Sequence, residues 1–196
     1  MDQVEIHPLR PFLPENARLL MLGSFPPPRS KWKMDFYYPN FQNDMWRIMG
    51  LVFFQDKDYF LTDDKKMFDR EAIIQFLNKE GIALFDTARE VIRGKSNAAD
   101  QFLKIVAPND IAAILAKILS CRIIVTTGEK ATQALLDQFA AKIKKPSIGN
   151  FIEIPINGKV YRFYRMPSSS RAYPKSLADK AAIYSKMFSD EGFIRI

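Results

Sequence analysis

The chain is expected to form an α/β three-layer sandwich, a central, mainly parallel sheet of about four strands with helices on both faces. Three observations lead there. Short apolar runs of strand length alternate with segments of helical period. Asn157-Gly158, a dipeptide suited to a tight hairpin turn, separates the apolar runs 151–156 and 159–165. Three of the strands end in polar loops, at Ser24, Asp86 and Ser168. In a parallel sheet such loops meet at one edge, where α/β proteins place their ligands.

The elements follow in order. Pro8, Pro11 and Pro14 forbid regular helix in the approach segment, residues 1–17. Leu19-Leu20-Met21-Leu22 reads as a buried strand, broken at Gly23-Ser24 into a loop over 24–40 that carries Pro26-Pro27-Pro28. A helix over 41–53 begins near Asn40 or Asn43, and a charged connector covers 56–63. Met67, Phe68, Ile73, Ile74 and Leu77 predict a helix over 64–79, stopped at Gly81. Residues 81–85 form a second strand, and the polar stretch 88–100 reads as a loop. Pro108-Asn109-Asp110 open a helix running to Leu119, followed by a strand over 122–125 with Cys121 packed beside it. A helix over 129–143 ends at Lys144-Lys145-Pro146. After the hairpin, the loop Ser168-Ser169-Ser170-Arg171 leads into a last helix over 174–189, with Pro174 in its first turn.

The 196 residues suit a single domain spanning 1–196, with a composition of 47% hydrophobic and 26% charged residues that is ordinary for a soluble globular protein. No apolar run approaches the ~18–20 residues of a membrane span, and the N-terminus lacks the order of a secretory signal. A cytoplasmic location (at the nucleoid in a bacterium) and a monomer are the expectations. One cysteine, Cys121, allows neither an internal disulfide nor a four-cysteine metal site. His7 is the only histidine, so no pair of histidines can build a triad or a metal centre. No metal and no cofactor are expected, and chemistry falls to carboxylates, amides, hydroxyls and backbone groups. The net charge of +7 favours a polyanion, nucleic acid above all; a basic surface serving solubility alone is the alternative. The 24–40 loop holds aromatic and amide side chains but no phosphate-binding glycine pattern, which suits a flat, uncharged group.

Four pieces of the chain, in order over residues 19–172, resemble the uracil-DNA glycosylase superfamily. They are Gly23-Ser24-Phe25-Pro26; Tyr37-Tyr38 followed by Asn43-Asp44-Met45-Trp46; the strand Gly81 to Asp86; and Met166-Pro167-Ser168-Ser169-Ser170-Arg171-Ala172. Thr127-Gly128 with Ala131 resembles a further turn of that family, with Thr in place of Asn. The nearest branch is the hypoxanthine-DNA glycosylases (family 6), followed by the mismatch-specific thymine/uracil enzymes. The resemblance implies a uracil-DNA glycosylase-like sandwich and base excision. The partner would be double-stranded DNA with a damaged or mismatched base, or single-stranded DNA.

The resemblance assigns Asn43, Ser24 and Ser168 to catalysis, and Phe25, Tyr38 and Asp86 to the extruded base. Ser170, Arg171, Ala172, Lys31, Lys130 and Lys175 fall to the DNA. Tyr38 would stack on the base face, or Tyr37 and Tyr38 merely pack the loop. Asn43 would contact the base or a water, or cap the helix. Asp86 stands where many uracil readers carry Asn; ionised, it only accepts, which tilts the reading toward hypoxanthine. A protonated carboxyl would donate and remove that tilt, and a turn cap is the structural alternative. Phe25 cannot activate water, and no histidine stands at Ser168, so a dissociative transition state served by neutral donors is implied. A superfamily member that has lost its chemistry and senses DNA damage or single strands is the second reading. Arg93, Lys33 and Lys95 would add to the basic rim.

Overall fold

The computed structural model describes residues 3–94, 103–139 and 143–195. Its larger sheet has five strands in the order β3-β2-β6-β8-β7. These are β2 (Leu19–Gly23), β3 (Ile82–Asp86), β6 (Ile123–Thr127), β7 (Phe151–Ile156) and β8 (Lys159–Met166). All neighbours are parallel except β7, which pairs antiparallel with β8 through the Asn157-Gly158 turn. The sheet thus exceeds the expected four strands by the first arm of the hairpin.

Every residue of β2, β3 and β6 is buried. That requires cover on both faces, which explains why these strands read as unbroken apolar runs. Connection α1 (Met45–Phe54) plus α2 (Arg70–Glu80) leads from β2 to β3. The chain then returns past β2 to β6 through α3 (Ile111–Leu115), and α4 (Glu129–Leu136) carries it on to β8. Right-handed crossovers in opposite directions put these two groups of helices on opposite faces. Phe53 of α1 meets Phe76 of α2 at 4.8 Å and Phe188 of α5 (Leu177–Asp190) at 4.9 Å between ring centroids. On the other face the Ile111 N–H donates to Gln138 just beyond α4, at 3.4 Å. Full burial of each such aromatic or aliphatic side chain contributes ~1.5–3 kcal/mol.

Caps set the helix starts and move several from their expected places. The Asp69 carboxylate accepts from the Ala72 N–H, so α2 starts at Arg70 rather than at 64. Ser176 caps α5, accepting from the Asp179 N–H at 3.1 Å, so the helix starts at Leu177 and Pro174 lies before it rather than in its first turn. The helices α3 and α4 stop at Leu115 and Leu136, short of 119 and 143.

A second, antiparallel sheet was not expected. Strands β1 (Val4–Ile6), β4 (Ala88–Arg93) and β5 (Leu103–Pro108) form it in the order β1-β4-β5. The loop expected over 88–100 is therefore a strand as far as Arg93; its remainder from residue 95 lies outside the described residues. The segments that lead from this sheet to the main one, after β1 and before β4, are both pinned to the main sheet. Phe12 and Leu84 exchange both backbone hydrogen bonds, and Thr87 N–H donates to the Gly23 carbonyl at 2.9 Å. No helix among the described residues is long and apolar enough to cross a membrane.

Candidate functional site

The first connection of the main sheet runs from β2 toward β3, while later ones run from β6 toward β8. Between β2 and β6 the strand order reverses, and at such a point the flanking loops diverge and leave a crevice at the C-terminal strand ends. A cavity of about 630 Å³ lies there. Tyr38, Asn43 and Asp86 all line it, as do Ser24, Phe25 and Ser168. So do Ser170, Arg171 and Ala172 at the loop after β8. Its size falls within the range of small-molecule sites, ~300–1,000 Å³.

Tyr38 is set rigidly. Its backbone is left-handed, with φ 49°. Its ring meets the edge of Trp46 at 5.9 Å, and its hydroxyl lies 3.1 Å from Thr127 Oγ1, at the end of β6. Tyr37 does a different job. It is 3% exposed, and its hydroxyl donates to the Arg10 carbonyl at 2.8 Å. Burial, reinforced by the nearby Asp86 charge, pushes its phenol above the ordinary tyrosine range, so it stays neutral. Both tyrosines line the cavity, but Tyr37 is a buried member of the core while Tyr38 is only partly buried.

Asn43 stands just before Asp44, the N-cap of α1, and both braces the helix start and lines the cavity. Its Oδ1 accepts from the Met45 N–H at 2.9 Å, satisfying one free donor of α1. Its Nδ2 makes no hydrogen bond among the described residues, so the amide offers the cavity a donor.

Asp86 ends β3 and is 6% exposed. Its carbonyl accepts from Asn109 Nδ2 at 2.9 Å, an amide that also donates to the Ala88 carbonyl at 3.0 Å. One carboxylate oxygen, Oδ2, receives His7 Nε2 at 2.8 Å. The other, Oδ1, lies over Gly23, where an added Cβ would come within 2.3 Å of it. Only glycine leaves room for that carboxylate. Sequence reasoning set His7 aside because it has no second histidine; a carboxylate partner was the pairing to look for.

A buried ionic cluster joins the two halves of the site. Asp44 is 6% exposed and Lys180 fully buried. Lys180 Nζ donates to Asp44 Oδ2 at 3.1 Å and to the Ser170 carbonyl at 2.8 Å. Arg171 Nε donates to Asp44 Oδ1 at 2.9 Å, and its Nη1 to Gln42 at 3.1 Å. Asp44 N–H donates to the Ser169 carbonyl, and Asn43 forms a bridge with Ser170. The cluster was missed, but it left a trace. Lys180 lies four, seven and eight residues before Tyr184, Met187 and Phe188, on the apolar stripe of α5.

Arg171 is therefore held by a protein carboxylate, while its side chain remains 45% exposed. Ser168 Oγ accepts from the Ser170 N–H at 3.2 Å, and Ser170 Oγ accepts from the Ala172 N–H at 3.2 Å. Both hydroxyl protons remain able to donate. Phe25 lines the cavity but packs against Ala88, Val91 and Leu103 of the second sheet. Arg93 is not on a basic rim: its guanidinium grips Glu5 at 2.9 and 3.1 Å and the Pro26 carbonyl at 3.0 Å. Lys31 and Lys175 are exposed and Lys130 is half-buried, all three outside the cavity wall; Lys95 lies outside the described residues. Among the described residues no group of three His, Cys, Asp or Glu could hold a metal ion.

No protein-family model and no curated protein matches the chain. Among solved structures it is similar to the solution NMR structure of a "putative Uracil DNA glycosylase" from Methanosarcina acetivorans. The two share 21% of residues with a TM-score of 0.61, over 94% of this chain and 99% of the other. The chain has that protein's fold.

Proposed function

We propose that the protein is a monofunctional DNA glycosylase that hydrolyses the N-glycosidic bond of a deaminated base extruded from DNA, with hypoxanthine favoured over uracil. The observation that carries this reading is that Tyr38, Asn43 and Asp86 line one cavity, offering an aromatic face, an amide donor and a carboxylate acceptor. An extruded base needs all three: a stacking surface and groups that read its edge. The shared fold with the archaeal protein supports the same direction.

In this reading the base slides against Tyr38. Asp86 accepts from its ring N–H. The Asn43 amide and the Ser168 hydroxyl donate to the negative charge that grows on the base as the bond lengthens. Preset donors at such a point stabilise the transition state without reorganisation. Positive charge on the sugar is offset by the DNA phosphates, and water needs only a position. Ser170, Lys31, Lys130 and Lys175 contact phosphate, which fixes register without reading sequence.

Labelled duplexes carrying one uracil, hypoxanthine, xanthine or mismatched thymine test the reading, with hot alkali to reveal abasic sites. Strand breakage at the hypoxanthine is expected. Retention on DNA with no abasic product at any lesion overturns it in favour of a damage-binding module. Within that assay, Tyr38→Ala is expected to weaken lesion binding by about 1–3 kcal/mol, the value of one base stacked on an aromatic ring. A gel-shift titration against the lesion duplex reads this directly.

A further inference from the structure

We propose that His7 is a positioning residue for base recognition. By donating to one oxygen of Asp86 it fixes the carboxylate and takes one of that oxygen's acceptor positions, which favours a base edge with one ring N–H over the paired N–H donors of guanine. The inference rests on the glycosylase reading and extends it to the bases the site must refuse.

The pair is enclosed. His7 and Asp86 side chains are 3% and 9% exposed. The His7 ring stands at 5.3 Å from Phe25, edge-on, and 5.1 Å from Phe85. Its backbone N–H donates to the Arg89 carbonyl at 2.8 Å, continuing the pairing of β1 with β4. Nδ1 lies 3.2 Å from the Leu9 nitrogen, whose N–H points to it, and 2.9 Å from the Leu9 carbonyl oxygen. If Nδ1 accepts from that N–H, the neutral ring carries its proton on Nε2. If Nδ1 donates to the carbonyl, the ring is an imidazolium, protonated on both nitrogens. The remaining tautomer would set a lone pair against a carboxylate at 2.8 Å. Each favourable arrangement therefore puts an N–H on Oδ2.

That leaves Oδ1, which has no hydrogen-bond partner among the described residues and rests in the space Gly23 provides. A carboxylate with both oxygens free matches the Watson–Crick edge of guanine, whose ring N–H and exocyclic amine lie side by side and donate in parallel. With one acceptor position of Oδ2 already held by the enclosed imidazole, the guanine amine has to share that oxygen with His7, and its second bond is weakened by the competition. Hypoxanthine presents its ring N–H between a carbonyl and a C–H and loses nothing, whereas the ring N–H of uracil lies between two carbonyls, one of which faces the carboxylate. Undamaged guanine is the abundant purine such an enzyme has to refuse, so occupying Oδ2 acts against the wrong base.

The test uses 9-methylhypoxanthine and 9-methylguanine as free ligands, which need no bond cleavage, with binding to the intact protein followed by intrinsic fluorescence. His7→Phe keeps a ring between Phe25 and Phe85 but removes the N–H; His7→Gln returns an N–H donor. The wild type is expected to prefer 9-methylhypoxanthine. His7→Phe should lower that preference by roughly tenfold, the loss of one buried hydrogen bond to a charged group. His7→Gln should restore part of it, and in an Asp86→Ala background His7→Phe should change nothing. A purely structural role would weaken both ligands equally. An unchanged ratio in folded His7→Phe, or a wild type that binds the two bases alike or binds neither, overturns the proposal. Should His7→Phe not fold, the wild-type preference and the His7→Gln ratio decide. Duplex cleavage measured in parallel separates the two readings. Abasic product without base discrimination removes only the role of His7; discrimination without product removes only the glycosylase.

Discussion

Asp44→Ala is expected to lower the free energy of unfolding by about 3–5 kcal/mol, the usual cost of removing one partner from a buried ion pair. The reason lies in what remains. Lys180 is fully buried, and its ammonium would keep only the Ser170 carbonyl as a partner. Arg171 would lose its carboxylate as well. Lys180→Met should cost less than Asp44→Ala, because Asp44 keeps Arg171 and the thioether chain fills the vacated stem. Combining Asp44→Leu with Lys180→Met should recover much of the loss, since an apolar pair avoids the desolvation that the charges carry. Urea unfolding of the four proteins measures these differences. A loss below 1 kcal/mol for Asp44→Ala would mean that water reaches the cluster.

The second large effect concerns chemistry. Asn43→Asp is expected to slow base release by roughly 100- to 1,000-fold, the usual result of deleting one preset donor to a charge that develops in the transition state. The substitution separates the two tasks of this side chain. A carboxylate at that position still accepts from the Met45 N–H and suits the positive end of α1. It offers no N–H to the cavity. Stability should hold to within about 1 kcal/mol while single-turnover rates on the lesion duplex collapse. Asn43→Ala should lose both. Equal activity of Asn43→Asp and wild type would move the catalytic donor to Ser168.

Much of the site could be read from the sequence because its residues sit at the ends of strands that announce themselves. Leu19 to Leu22 and Ile82 to Phe85 are buried on both faces, so their apolar runs end sharply at Ser24 and Asp86. The Asn157-Gly158 hairpin declared itself by its turn chemistry. The second sheet was hidden for the opposite reason. In β4, Arg89 is exposed and Glu90 and Arg93 are only half-buried, so the segment reads as polar loop although Ala88 and Val91 are fully buried. The ion pair of Arg93 with Glu5 links residues 88 positions apart, a separation that no local pattern reports. The same distance hid His7, which reaches Asp86 across 79 residues. Lys180 was passed over because lysine on a helix is read as solvent-facing, even where the spacing puts it on the buried stripe.

The backbone of Tyr38 has a further consequence. A left-handed conformation costs a residue with a side chain ~1–2 kcal/mol, and here the edge of Trp46 and the hydroxyl of Thr127 hold it in place. That expense is met once, when the chain folds. In the proposed base-stacking role the ring would have little rotational freedom left to surrender, and the free energy of stacking would go almost entirely into affinity. In that proposed role, preorganisation of this kind would also fix the angle at which a flat base enters, and the aromatic face would act as a gauge of planarity before any hydrogen bond is made.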